Sequence, residues 1–453
     1  MHSNTDTSLA HRNDGASRRP LKFGILSFVI YLGFGILGFG SERSDMPAIS
    51  RVAPAPQLPS IPARASTVSI TDFGARPDAT TDNAKAIQKA IKSVSGKGGA
   101  VTIPAGVFLS GPIQLASHVE LRLEKGATLR LLPFSNSYPQ LNGRCISFIT
   151  AQNCTDITIS GQGTIDGQGA PWWPAARANQ IKSRPQLIAL DECERVLFEN
   201  FTTLNPPNTH FSLGRCKDVT IRNLTLRAPA DSHNTDGINF SGKNYLIENC
   251  DISTGDDNIV INGSLKRGWN PPMSENIVVR HCAFGAGHGM SIGSYTSGGV
   301  RGVLVEDCAF NGTTVAIRMK SARGRGGLVE NLTYRDITVK NARAAVYISS
   351  YYPKDPKTPD LDKTTAADTT AAKPMWRNIL IENLAVTDSQ TPVIIWGLPE
   401  LPVTGVTIRN ATFATQEGAA VNNAAKVLFD HVKINCVKPP ELHTYQATVE
   451  TTP

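Results

Sequence analysis

The feature that most constrains this chain is a short motif that returns nine times after Cys154. It reads apolar-x-apolar-x-Asn/Asp/His, as in Val196-Leu-Phe198-Glu-Asn200, Val219-Thr-Ile221-Arg-Asn223, Tyr245-Leu-Ile247-Glu-Asn249 and Ile277-Val-Val279-Arg-His281. It continues at Val303, Leu332, Ile379, Val406 and Val427, most starts lying 21 to 32 residues apart. That spacing is short for a strand, a crossover helix and a second strand, and suits one turn of several short strands. Period-two alternation sends the apolar set inward and the charges outward. The expected fold is therefore all-β: a single-stranded right-handed parallel β-helix, each coil about 4.8 Å above the last. A solenoid needs its open end covered. Thr81-Asp82 is expected to cap a short helix with Ile87, Ile91 and Val94 on one face, plugging the N-terminal end.

The same repeat accounts for two other patterns. Asn200, Asn223, Asn331 and Asn410 form Asn-x-Thr sequons, and three of them share one repeat position, which favours a ladder of stacked amides over glycosylation. Cys250, Cys282 and Cys308 share one position, and Cys154, Cys193 and Cys216 another. Buried small-residue stacks are expected there, because no CxxC or His/Cys cluster argues for a metal.

Residues 1–40 read as an export segment, with Arg18-Arg19 ahead of the apolar run Leu21 to Gly40. Gly38 and Gly40 suit cleavage before Ser41, and an uncleaved anchor is the alternative because the run is long enough to span a bilayer. Residues 41–66 form a Pro-rich linker, 67–437 the β-helix and 438–453 a C-terminal tail. The protein is thus expected to be secreted or periplasmic, touching a membrane only through an uncleaved anchor. Lys354 to Pro374 reads as an inserted surface loop. Net charge is +7, and +5 without the first 40 residues, whose four cations outnumber two acids. With Lys and Arg scattered rather than in runs, this excludes a nucleic-acid signature and admits an acidic substrate.

Acidic residues are sparse in the coils except at Asn234-Thr-Asp236-Gly237 and Gly255-Asp256-Asp257-Asn258. Asp256 lies six residues after Cys250 and His288 six after Cys282, so the two should stack on neighbouring coils. In Ala316-Ile-Arg318-Met-Lys320, alternation buries Met319 and sends Arg318 and Lys320 outward together. One wall thus presents Asp236, Asp256, Asp257, His288, Arg318 and Lys320. For Asp256 and Asp257 to share it, the chain must bend after Gly255. Hydrolysis of a glycoside with inversion needs one protonated and one ionised carboxyl about 6.5–9.5 Å apart, and clustered acids raise at least one pKa. Trp172-Trp173 could stack on a sugar or fill the core.

Asn-Thr-Asp-Gly, Gly-Asp-Asp, Gly-His-Gly and Arg-x-Lys, in this order, resemble the signature motifs of the polygalacturonase family of glycoside hydrolases, family 28. Ile70-Thr-Asp-Phe-Gly-Ala75 resembles the opening of that domain, and the likeness runs to about Cys436. The resemblance implies hydrolysis of polygalacturonate or pectin without cofactor or metal, by a chain expected to act as a monomer. It implies Asp256 as general acid, Asp236 and Asp257 as the pair activating water, and His288 as a group that tunes the acid. It further implies Asn234, Arg318, Lys320 and Tyr352 as substrate-binding residues, with Tyr351 adjacent to the last. Arg323-Gly-Arg-Gly-Gly327 resembles the bacterial branch, many of whose members attack chain ends. Rhamnogalacturonan or xylogalacturonan hydrolysis, a lyase on the same polymer, and a non-catalytic β-helix are the alternatives.

Overall fold

The computed structural model describes residues 56, 58–263, 274–356 and 372–453. The export segment and the middle of the inserted loop lie outside the described residues. The repeat positions form one continuous row: Ile157, Val196, Val219, Tyr245, Ile277, Val303, Leu332, Ile379 and Val406 pair in parallel register from coil to coil. Their side chains, with those two positions on, are sealed inside, none more than 2% exposed. The architecture is the expected right-handed parallel β-helix.

The motif's final position owes its composition to backbone shape more than to an amide ladder. Asn200, Asn223, Asn249, His281, Asp307, Asp336, Asn383, Asn410 and His431 all adopt left-handed backbone, with φ between 50° and 68°. The residue just before each motif does the same, among them Arg195, Asp218, Asn244, Asn276, Asn331, Asn378 and Lys426, with Gly302 and Gly405 at two coils. Each strand is therefore flanked by two left-handed corners, where Asn, Asp, His and Gly are the residues least penalised. The amides do ladder, but in two columns. Asn223 donates to Asn200 at 2.9 Å in one, and Asn276 to Asn244 at 2.7 Å in the other, where Asn331 also belongs. Cys250, Cys282 and Cys308 are buried with reduced sulfurs, as are Cys193 and Cys216.

Helix α1, Ala84–Ser95, covers the N-terminal end with Ile87, Ile91 and Val94 buried. Its N-cap is Asn83 rather than the Thr81-Asp82 pair. The Asn83 amide holds the Arg76 and Leu109 backbones, while Asp82 Oδ1 accepts from Ala84 and Gly111 amides, tying the plug to the first coil. Arg64, assigned by composition to the linker, docks on the coils through Asp156 O and Thr158 Oγ1. The expected C-terminal tail is extended strand as far as Thr452. Trp172 and Trp173 open helix α2, Trp172–Arg177, and belong to the core: Trp172 packs edge-on against Phe134 and Tyr138, and Trp173 donates to Pro206 O.

Asn223 separates the two explanations of its column. If the left-handed corner at φ 55° dominates, Asn223→Ala should lower unfolding free energy by about 1 kcal/mol more than Asn223→Gly does, read from denaturant midpoints. Equal losses would assign the column to the amide hydrogen bond instead.

Candidate active site

Loops entering three successive coils carry the acids and the imidazole, and their backbones are bonded face to face. His288 N donates to Asp256 O and Gly237 N to Asp257 O, both at 2.9 Å, so the neighbouring-coil stacking read from the cysteine offsets holds. The chain bends at Gly255 and Asp256, as the side-by-side acids require. Asn258, which closes the Gly-Asp-Asp-Asn motif and is given no role from sequence, staples this corner. Its amide donates to the carbonyls of Ile252 and Ala286 and to Thr254 Oγ1, and its oxygen accepts from Gly289 N at 2.7 Å. The glycines of Gly-His-Gly follow from it. A Cβ on Gly287 would sit 2.5 Å from the Asn258 side chain, and Gly289 holds φ 69° with Val315 O where a Cβ would go.

Below the loops, the strands present an outward row of Asn239, Val260, Ser291, Arg318 and Tyr347 in register. Lys320 lies two residues beyond Arg318, with Met319 buried between them. A cleft of about 290 Å³ results, lined by Asn234, Asp236, Asp256, Asp257, Lys320 and Tyr352 among others. Tyr352, rather than Tyr351, faces this cleft, its ring centre 5.1 Å from Lys320 Nζ.

The three carboxylates occupy different surroundings. Asp257, 4% exposed, is saturated: Lys320 Nζ lies 2.6 Å from Oδ2, while Arg318 Nη1 at 3.0 Å and Ser291 Oγ at 2.7 Å donate to Oδ1. Asp256 meets Asn234 Nδ2 at 3.1 Å and, at the other oxygen, His288 Nδ1 at 3.0 Å, an ion-pair contact poorly aligned for a hydrogen bond. Burial works against its charge. The imidazole, the Lys320 ammonium and the Asp257 amide outweigh that and hold Asp256 well below the usual carboxylate range. Asp236 accepts one hydrogen bond, from Asn239 at 2.8 Å. Desolvation and the charges of Asp256 and Asp257 push it up to about 7, against the pull of Asn239 and Lys320. Of Asp236 and Asp256, Asp236 is the carboxyl whose surroundings favour the protonated form.

The profile of the family described as Glycosyl hydrolases family 28 matches residues 95–436. The chain belongs to this family. An endo-polygalacturonase of Pectobacterium carotovorum subsp. carotovorum is 35% identical over 371 residues, covering 76% of this chain and 88% of its own length. A family 28 exopolygalacturonase of Yersinia enterocolitica shares the fold, with TM-score 0.74 at 22% identity over 86% of this chain and 78% of its own. An exopolygalacturonase of Thermotoga maritima gives TM-score 0.67 at 26% identity over 87% of this chain and 93% of its own. As a family 28 member, the chain is a glycoside hydrolase.

Two features of this family 28 site could not be read from spacing. Arg318 and Lys320 project together as expected, and each also donates to Asp257, Lys320 Nζ to Oδ2 and Arg318 Nη1 to Oδ1. Arg184, from a distant coil, holds the Asn234 loop by donating to the carbonyls of Pro207 and His233 and to Asn234 Oδ1. Asp256, Asp257 and His288 bring ligand atoms within 4.8 Å of one another. Because Lys320 and Arg318 already occupy both oxygens of Asp257, the trio makes a poor cage for a divalent cation.

Lys320→Ala should therefore destabilise the fold as well as impair activity, by about 2 kcal/mol or more in unfolding free energy, since it strips a buried carboxylate of a charged donor. A variant with wild-type stability would return Lys320 to a purely substrate-binding role. Asp236 gives a pH test. Between its ordinary value of 3.8 and about 7, the folded chain keeps a proton that the unfolded chain has lost, so this group's contribution to stability falls as pH rises through that interval. Asp236→Asn removes the slope and should gain stability relative to wild type between pH 4 and pH 7, measured as Tm; an unchanged difference would mean that Asp236 titrates normally.

Proposed function

We propose that the chain hydrolyses α-1,4-galacturonosidic bonds of polygalacturonan, the acidic backbone of pectin, with inversion at the anomeric carbon. The observation that carries this reading is the Asp236 and Asp256 pair in one cleft with opposed surroundings: Asp236 is desolvated beside two acids with one amide donor, and Asp256 sits against His288 and Asn234. Opposed environments of this kind are what acid and base chemistry on one bond requires. The similarity to an endo-polygalacturonase over 76% of the chain supports the substrate class.

In the mechanism the pair carries a single proton, a shared titration rather than two independent ones. Asp256 hands it to the departing oxygen, with Asn234 and His288 setting the orientation of its carboxyl. The surroundings of the empty cleft favour that proton on Asp236, so the general-acid role requires Asp256 to receive it before the bond breaks, leaving Asp236 ionised as the base toward water. Asp257, fixed by Lys320, Arg318 and Ser291, forms the wall against which that water is held. The reaction takes place outside the cytoplasm, where residues 1–40 would deliver the chain and where a polymer of this size is met.

Polygalacturonate should release reducing ends in EDTA with no rise in ultraviolet absorbance, and NMR of the first product should show the inverted anomer. Unsaturated ends would make the protein a lyase, and a retained anomer would make one Asp a nucleophile. Asp256→Asn and Asp236→Asn should each lose about 10²–10⁴-fold in kcat. A galacturonide with an activated aryl leaving group, which needs no proton, should rescue the Asp256 variant alone; rescue of the Asp236 variant instead would exchange the two roles. Exo action, expected from the Arg323 to Gly327 resemblance, predicts that solution viscosity stays high while reducing ends accumulate. Early collapse of viscosity would make the enzyme endo-acting.

A further inference from the structure

Arg318 and Lys320 each give a donor to Asp257 beside the acids, and a polymer with a carboxylate on every sugar calls for cationic contacts beyond that reacting centre. Drawing Lys320 toward a sugar carboxylate would leave Asp257, 4% exposed, short of its closest donor. Arg184 is engaged with two carbonyls and the Asn234 amide. A different cation meets the requirement. The Arg325 guanidinium lies 4.8 Å from the ring centre of Tyr295 and 5.9 Å from that of Tyr352, and both tyrosines line the cleft. Its Nη1 donates at 2.9 Å to Oγ of Ser294, another lining residue. Among the described residues no carboxylate pairs with it, although Arg323, two positions earlier, is locked to Glu400.

The segment is built to hold that side chain in place. Arg325 N donates to Ala322 O at 3.0 Å, closing a turn, and Arg325 O accepts from Thr296 N at 2.9 Å. Gly327 follows because a Cβ there would lie 2.1 Å from Thr296 O, and Gly326 because a Cβ would meet the Lys373 and Pro374 backbone. Gly327 lets the Arg325 turn close onto the loop that carries Ser294 and Tyr295, and Gly326 lets it pass the backbone at Lys373 and Pro374. Lying near two tyrosine rings and giving one donor to Ser294, the guanidinium keeps further donors of its planar fork for a ligand, a fork that suits a carboxylate.

We propose that Arg325 binds the carboxylate of a second galacturonate, in a sugar neighbouring the one that is cleaved. The proposal rests on the hydrolase reading above and names how that same cleft reads its polyanion. Tyr352 links this position to the reacting centre, its ring centre lying 5.1 Å from Lys320 Nζ and 5.9 Å from the Arg325 guanidinium.

The test uses calorimetric binding of trigalacturonate to the full chain carrying Asp256→Asn, so that nothing is cut. Adding Arg325→Gln, which keeps a donor for Ser294 but removes the charge, should weaken binding roughly tenfold to a hundredfold. Adding Arg325→Lys should recover part of the loss, and the penalty of the Gln variant should vanish on the fully methyl-esterified trisaccharide. Unchanged affinity in the Gln variant, or an equal loss on free and esterified ligands, overturns the proposal: Arg325 would then only shape the tyrosine wall. In otherwise unsubstituted enzyme, Arg325→Gln should raise KM on polygalacturonate far more than it lowers kcat. If the parent chain neither binds nor cuts galacturonate oligomers, the hydrolase reading fails together with the proposal; a parent that does both alongside an unaffected variant sinks the proposal alone.

Discussion

Everything in this molecule depends on turning a short strand through two left-handed corners at the same two places in each coil from Val196 to Val427. Asn244 and Asn249 bracket one strand and Asn276 and His281 the next, and the strands between them carry the sealed apolar row. A residue with a branched or bulky side chain would cost about 1–2 kcal/mol at each corner. Asn, Asp, His and Gly keep that cost low, and so the corners stay aligned over nine coils. Any loop that leaves a corner therefore emerges directly above the loop of the preceding coil, which is how residues tens of positions apart in sequence come to share one cleft.

Register is reinforced outside the barrel by charge. The position just before the second corner reads Glu199, Arg222, Glu248, Arg280, Glu306, Arg335, Glu382, Arg409 and Asp430, alternating in sign at every step. Arg222 meets Glu199, and Arg280 meets Glu248, each at 2.7 Å. A pair of this sort on the surface contributes little to stability. Its larger effect is on specificity: pairing a coil with its second neighbour would place like charges in contact along the whole column, a cross-strand arrangement that is disfavoured.

Much of this was legible in the sequence because it is periodic. The inward row of the nine motif coils and the stacking of His288 on Asp256 follow from offsets alone, whereas the earlier coils through Val101, Leu121 and Ile159 do not announce themselves by the motif. The alternating charge column was equally present in the letters, yet it becomes meaningful only once the coils are aligned. What could not be read are contacts set by reach. Alternation gives the side of the strand from which Lys320 leaves, but not that its four-carbon stem ends on Asp257. Adjacent tryptophans after Pro171 look like a sugar platform until the turn into α2 rolls both indoles beneath the surface. The choice of proton carrier was hidden for a related reason. Three acids in a row guarantee a raised pKa somewhere, and only the placement of His288 and Asn234 on Asp256, against a single amide on Asp236, decides where.

That placement links proton to polymer. Asp257 is balanced by Lys320, with Arg318 in addition, and Asp256 carries its own charge beside His288. While Asp236 keeps its proton, the carboxylate charges in the cleft do not outnumber these two cations. Once Asp236 ionises, above about 7, a third anion faces the entering chain. For the polyanionic substrate proposed above, each added negative charge at contact range is repulsive by an amount that grows as water is excluded. On the mechanism proposed above, the proton given to the departing oxygen is the same proton that keeps a third negative charge away from the entering polymer. Rising pH should then act on binding and on chemistry together, through one carboxyl, with no need for a separate sensor.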